Sequence, residues 1–267
     1  MRLASILLLA PLALASATAS FAADPAGHQL AAHRATYDLR LAASKAVQAA
    51  TGSMTYEFLD KCEGWATQQR LDMTVTNDEG QAIHMLSDYS TFESKDGLHM
   101  RYRMKQTTDT AVTSEVEGES SLQATGGVGT ATYTLPHPAT LPLPAGTLFP
   151  TAHTVALLGA AEGGAKFLAL PLFDGTSAKG PEDSSIVMSA WVADSETLTK
   201  QPSLARLASG RFHIAFFDHA PTAIEPDYEV SMRYFANGVA DDLLMNFGDF
   251  SMAGSLKEFK LVPPTCG

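Results

Sequence analysis

Cysteine is scarce: the chain of 267 residues has two, at positions 62 and 266. Two thiols cannot supply a four-cysteine zinc site or an iron–sulfur cluster from this chain alone. Basic charge is also short, with 18 Lys and Arg against 29 Asp and Glu and a formal net charge of −11. That excludes a basic nucleic-acid binder. Long apolar runs are confined to the amino terminus, and no later stretch approaches a spanning helix. There is no Gly-x-Ser-x-Gly elbow, no strand–helix–strand rhythm of a parallel nucleotide-binding sheet and no repeat of solenoid length. The eight histidines include no closely spaced pair that would offer two imidazoles to one metal, so neither a metal nor a cofactor is expected. Against these absences, 45 % hydrophobic and 18 % charged residues are ordinary globular values, sufficient for a real core.

The first residues read as an export signal. Met1-Arg2 forms a minimal positive start, and an apolar stretch containing Ile6, Leu7, Leu8, Leu9, Leu12 and Leu14 follows, interrupted by Pro11. Small residues then lead to Ser20 and Ala22, which occupy the −3 and −1 positions of a signal-peptidase site. Cleavage after Ala22 is expected, with a second site available after Ala17. It leaves one β domain over residues 23–267, soluble and periplasmic, and the loss of Arg2 makes that chain more acidic still.

The mature region is dominated by a period of two. Ala35, Tyr37, Leu39 and Leu41 alternate with Arg34, Thr36, Asp38 and Arg40; Met54, Tyr56 and Phe58 share one face, and Leu71, Met73 and Val75 another. Leu98, Met100, Tyr102 and Met104 oppose His99, Arg101, Arg103 and Lys105, and the pattern returns at Phe212, Ile214 and Phe216 and at Val230, Met232 and Tyr234. Long antiparallel strands with one wet face produce such alternation. Asn77-Asp78-Glu79-Gly80, Lys95-Asp96-Gly97 and Asn237-Gly238 supply the turns. The expected fold is a mostly β antiparallel meander with one or two short helices. His137 to Pro150, with Pro138, Pro142, Pro144 and Gly146, is expected to be an irregular crossing. A helix follows, with Thr147 as cap, Pro150 in the first turn, an apolar stripe of Ala152, Val155, Ala156 and Leu158, and a stop at Gly163-Gly164. Asp174 to Ser185 reads as a polar loop, and Asp194 to Leu207 as a short helix or an Ω-type loop.

Reactive groups are hard to find in this pattern. His153 stands in the helix beside the crossing, and its expected role is a ring hydrogen bond to a loop carbonyl. An exported hydrolase would need His153 or His213 to meet a serine and a carboxylate in a cleft. No catalytic residue is assigned, and no ligand-binding residue is assigned either. Asp241-Asp242 reads as a solvated hairpin face. The cysteines carry more information, because an isolated even pair in an oxidising compartment usually closes as a disulfide. An intermolecular bond and a redox-active thiol are the alternatives. A bond joining positions so far apart is worth about 5 kcal/mol at most in the chain-entropy model.

Several short stretches, taken in order, resemble one family: His33-Arg34-Ala35-Thr36-Tyr37-Asp38-Leu39, Cys62-Glu63-Gly64-Trp65, Phe92-Glu93-Ser94-Lys95-Asp96-Gly97, Leu148-Phe149-Pro150-Thr151-Ala152-His153-Thr154, Leu172-Phe173-Asp174-Gly175, Asn237-Gly238-Val239 and the closing Cys266. Together they are similar to the EipB-like cell-envelope integrity proteins. The resemblance implies a periplasmic protein whose antiparallel strands wind into an open β-spiral or half-barrel, with Cys62 and Cys266 closed as a disulfide. It implies no enzyme activity. The expected function is that of a non-enzymatic binding or scaffold protein supporting envelope integrity through a periplasmic protein partner, such as a TPR-repeat protein. The alternative is a carrier of a lipid or an acylated protein such as a lipoprotein, with apolar strand faces such as Met100, Tyr102 and Met104 lining a concave pocket. The open edges of a spiral also allow copies to pair as a homodimer. Mass spectrometry of the non-reduced mature protein is expected to find a Cys62–Cys266 cross-linked peptide, and two free thiols would refute the pairing.

Overall fold

Strands with one apolar face bury it in a long meander only by curling the sheet over itself. The computed structural model describes residues 29–220 and 222–263, and among them fourteen strands form one sheet. The first run is β1 (His33–Ser44), β2 (Val47–Asp60), β3 (Gly64–Asn77), β4 (Ala82–Ser94), β5 (His99–Thr108), β6 (Ala111–Leu122), β7 (Gly129–Leu135) and β8 (Ala139–Leu143). A helix, α1 (Pro150–Glu162), then intervenes. The second run is β9 (Phe167–Leu172), β10 (Glu182–Val192), β11 (Ser209–Asp218), β12 (Tyr228–Phe235), β13 (Ala240–Asn246) and β14 (Phe250–Leu261). Each run is a meander, and they join where β14 pairs antiparallel with β1, so the order is β8 through β1, then β14 back through β9.

The end strands β8 and β9 are not paired as strands, which leaves the sheet open. A single parallel bridge from Leu148 to Leu172 stands between them. The Leu148 N–H donates to the Pro171 carbonyl and the Phe173 N–H to the Leu148 carbonyl, each at 3.0 Å. The mostly β antiparallel meander is the one the residue pattern predicts, and its open curl is what the family resemblance implies. His33 lies between Phe58 of β2 and Leu261 of β14. The carboxyl-terminal strand therefore leaves the sheet at the end where the β2–β3 turn carries Cys62. Cys266 and the signal segment 1–22 lie outside the described residues.

The crossing between β8 and β9 differs from the sequence expectation in three ways. First, residues 139–143 form strand β8 in spite of Pro142, which is aligned with Thr130 of β7. On an end strand alternate N–H groups point away from the sheet, so a missing donor need not cost a ladder bond. Second, Thr147 does not cap α1: its hydroxyl donates to the Pro144 carbonyl at 2.7 Å, and Phe149 occupies the N-cap position without a side-chain bond. Third, the buried stripe of α1 is His153, Leu157, Leu158 and Ala161. Of the expected apolar positions only Leu158 belongs to it, because the helix lies inside the curl and is apolar nearly all round, which leaves tertiary contacts to choose its deepest face. The expected polar loop after Asp174 is also shorter, since β10 begins at Glu182. The segment 194–207 is a loop that tucks Leu204 against Phe235 and Val239.

Two larger packed regions stand beside this small one. In one, Leu157, Leu158 and Ala161 of α1 pack with Ile186, Met188, Phe212 and Ile214 and with the inner faces of β1–β3 and β12–β14. In the other, Met100, Tyr102 and Tyr133 close over Phe149 and Phe173, with the Tyr102 and Phe173 rings edge to face at 5.3 Å. Tyr102 lies against Gly175, where a Cβ would collide with its ring and where φ is +73°, so glycine is required on both counts. Leu158 is fully buried whereas Phe167 is 76 % exposed on the end strand β9. Leu158→Ala is expected to lower unfolding stability by about 2–5 kcal/mol, and Phe167→Ala by less than about 0.5 kcal/mol, read from the midpoints of denaturant titrations.

Candidate functional site

The curl does not close on a solid core. A cavity of about 630 Å³ lies inside it, reaching the inner faces of β1–β5 and of β11–β13 and the first turn of α1. Much of its wall is methionine, leucine and aromatic carbon, including Met54, Met73, Met232, Met245, Leu71 and Phe247. Of the three residues the sequence suggested for a pocket, only Met104 reaches it. Met100 and Tyr102 are spent in the packed region around Phe149 and Phe173, where rings and thioether fill space that α1 and its flanking crossing define.

One part of the wall is polar. Side chains at 85, 87, 89, 91 and 93 share the inner face of β4, and Tyr89, Thr91 and Glu93 stand in line on the cavity wall. Glu93 is 1 % exposed and caps α1 from a distant strand. The Thr151 N–H donates to both carboxyl oxygens, at 3.1 and 2.9 Å, and the Thr151 hydroxyl donates at 2.7 Å. The helix N-terminus favours negative charge there, yet burial outweighs these bonds and pushes the carboxyl up to about 7. Asp174, in the β9–β10 connection, and Glu182, the first residue of β10, face the same space. Burial, aided by the neighbouring Asp174, raises Glu182 to about 8, and burial raises Asp174 against the pull of its bonds from Thr176. The Tyr89 hydroxyl donates to the Asp174 carbonyl at 2.6 Å. Burial also holds Tyr56, Tyr89 and Tyr234 in the phenol form.

The histidines flagged in the sequence are not brought together. His153 borders the cavity, with Nε2 2.8 Å from the Ser184 hydroxyl, while that hydroxyl donates to the Leu170 carbonyl at 2.7 Å. Its proton being used there, Ser184 must accept from the ring, so His153 presents N–H and not a basic lone pair to the serine. Burial lowers its pKa to about 4. His213 is on the outer face, 2.9 Å from Ser231 and 3.2 Å from Glu229, and does not border the cavity. Neither histidine forms a nucleophile–base pair in a cleft. Asp242 pairs with Arg211 on the surface, while Asp241 bonds the Leu256 N–H. Cys62 sits in the β2–β3 turn at φ 68°, its N–H bonded to Asp60, and beside it Lys95 pairs with Asp60 and lies over the Trp65 ring. Among the described residues no group of three His, Cys, Asp or Glu is arranged to hold a metal ion, and no helix is long and apolar enough to cross a membrane.

Comparison with known proteins places this architecture. The EipB-like family model matches residues 24–263. The chain belongs to the EipB-like family. It is 34 % identical over 244 residues to the cell envelope integrity protein EipB of Brucella abortus (strain 2308), an alignment covering 85 % of this chain and 83 % of that protein. It also matches the crystal structure of a beta-barrel-like protein of a domain of unknown function from Brucella abortus. There the TM-score is 0.78 and the identity 32 %, with 88 % of this chain and 99 % of that one covered.

Within this EipB-like chain the buried acids set the pH response. The folded-state pKa values of Glu93 and Glu182 are raised, so their stabilising contribution is complete below about pH 4.5 and is lost as pH rises through about 7 to 8. His153 is depressed, so its contribution is present above about pH 6.5 and is lost as pH falls through about 4. Stability measured by denaturant titration is therefore expected to fall between about pH 5.5 and 8.5. Glu93→Gln, which keeps an acceptor for Thr151, is expected to recover up to about 3 kcal/mol at the alkaline end. Glu93→Ala removes the cap and is expected to cost about 1–2 kcal/mol at pH near 5.5.

Proposed function

We propose that this protein is an exported, periplasmic binding module that supports cell-envelope integrity without catalysis, and that its interior holds the apolar chain of a lipid or of an acylated protein. The observation that carries the reading is the cavity. Natural interiors are packed to the density of organic crystals and leave few voids larger than a water molecule. A space of about 630 Å³ lies instead within the range of small-molecule sites. Its methionines are flexible and polarizable, which suits a wall meeting chains of variable shape. The name of the Brucella abortus relative supports the envelope role, and the apolar amino terminus with Ser20 and Ala22 supports export. The disulfide between Cys62 and Cys266 is part of this reading. Leu261 and Phe58 flank His33, so β14 ends at the edge of the sheet where the β2–β3 turn carries Cys62, which supports the pairing.

A second reading, action through a protein partner such as a TPR-repeat protein, is favoured by the exposed apolar pair at the β9 end of the sheet. Phe167 and Val187 are cross-strand neighbours, 76 % and 42 % exposed, and the outer edge of β9 beyond the Leu148 bridge offers backbone groups for pairing. The two readings are compatible, since a carrier must hand its cargo to something.

Native mass spectrometry of protein purified without detergent from envelope fractions is expected to show an adduct that organic extraction removes. Leu71→Trp, which fills the cavity from β3, is expected to purify folded and without the adduct. Protein that carries no extractable species and takes up no acyl probe would overturn the carrier reading.

A further inference from the structure

The cavity is open at one end of the curl and covered at the other. Among the described residues, the exposed members of its wall are Met85, Gln106 and Thr113, and all three belong to the end where β4 begins, β5 finishes and β6 begins. Register carries the same end round the sheet to Ser44 and Phe250, which are aligned where β1 finishes and β14 begins, and on to the aligned Asn246 and Glu229 of β13 and β12. At the opposite end residues 30–33 run across the wall. The Ala31 N–H donates to the Asn237 carbonyl at 2.9 Å and the Val262 N–H to the Ala32 carbonyl at 2.8 Å. The Leu30 side chain lies over Gly238, where a Cβ would stand 2.6 Å from it. Next in the chain, the His33 ring is 2 % exposed and packs with Tyr56, Phe58 and Phe259.

A separate observation marks the open end as a threshold. Four half-buried rings, Phe216, Tyr228, Phe247 and Phe250, form a row there across β11 to β14, with successive centroids 6.0, 5.6 and 5.2 Å apart. The first three border the cavity, so large apolar rings stand where solvent meets the interior. On the β5–β6 side the rim carries uncharged polar groups, Gln106, Thr108 and Thr113. Apolar side chains then lead inward along both walls. Met85 is aligned with Met73, and Leu71 follows on the same face; Val230 is aligned with Met245, and Met232 follows. A polar head drawn down this path would give up its water among methionine and leucine side chains, whereas a hydrocarbon tail gains by entering it.

We propose that the cavity is entered through this rim and takes an amphiphile tail first, with the polar end left outside at Gln106, Thr108 and Thr113. This rests on the reading of the cavity as a site for an apolar chain, and it widens the substrate class in one direction. A head that stays in water is not limited in size, so a chain attached to a large polar body, as in an acylated protein, is accepted as readily as a chain with a small head.

Trp65 reports the depth reached. It stacks on Phe58 at 4.5 Å, and Phe58 borders the covered end. In a Trp191→Phe protein, which leaves Trp65 as the single indole of the two in the chain, methyl stearates labelled with a nitroxide near the methyl end or near the ester end are titrated below their aggregation concentrations while the spin spectrum reports immobilisation. Both are expected to be immobilised. The methyl-end label is expected to quench Trp65 emission and the ester-end label to leave it unchanged. Thr113→Trp, on the exposed rim, is expected to slow uptake and release by about tenfold each with the affinity unchanged. Val128→Trp, at an exposed position between β6 and β7 at the covered end, is expected to change neither rate. Quenching by the ester-end label that equals or exceeds that by the methyl-end label, or rates that Thr113→Trp leaves as they were, would overturn tail-first entry through this rim and leave the apolar site standing. Failure of both stearates to be immobilised would overturn the site itself.

Discussion

A sheet of fourteen strands with one apolar face has very little except itself to bury that face against. Only one helix is present among the described residues to help, and it is too short to cover the sheet. The sheet must curl, and the right-handed twist of successive strands carries it round. The two meanders joined through β1 and β14 wrap α1 between them, and Leu148 holds the unpaired ends near each other with two backbone bonds. Every other feature of the interior follows from that solution.

A curl of this length encloses more volume than one thirteen-residue helix can fill. Residual space collects where α1 begins, and there the wall changes character. The helix needs acceptors for its first N–H groups, and Glu93 supplies them from β4. That places a carboxyl in an apolar enclosure, where the neutral form is favoured as pH falls. Asp174 and Glu182 raise the same cost at the β9–β10 connection. Buried polar groups of this kind weaken a fold and persist most readily where something other than stability requires them. By contrast, the His153–Ser184–Leu170 chain is fully satisfied and reads as a positioning contact between α1 and the β9–β10 pair.

Much of the sheet was legible in advance, and the exceptions are instructive. Strands whose inner residues are uniformly apolar, such as β1, β5, β11 and β12, show themselves by alternation. Strand β4 does not, because Ser87, Tyr89, Thr91 and Glu93 make its inner face nearly as polar as its outer one; the signal fails where the strand borders the cavity. Glu182 was assigned to a loop for the same reason, its charge concealing the start of β10. Strand β8 was concealed by Pro142, which an end strand tolerates. The helix was located correctly, but its cap was not, since the residue doing that work comes from β4. A single-sequence signal for Glu93 exists only as a charged residue where the alternation requires an inward side chain.

From the order of residues alone came the β class, the turns at glycine and asparagine, the presence of one helix after the proline-rich crossing and the lack of a metal or nucleophile motif. These follow from local rules, in which period-two polarity, φ preference and composition act over a few neighbours. The curl's enclosed volume, the placement of Glu93, Asp174 and Glu182 on the wall of one cavity, and the separation of Met104 from Met100 and Tyr102 were decided only by tertiary structure. Each depends on which strands end up facing one another across the interior. That facing is set by the summed twist of fourteen strands and the placement of α1, and no local window of the chain contains it.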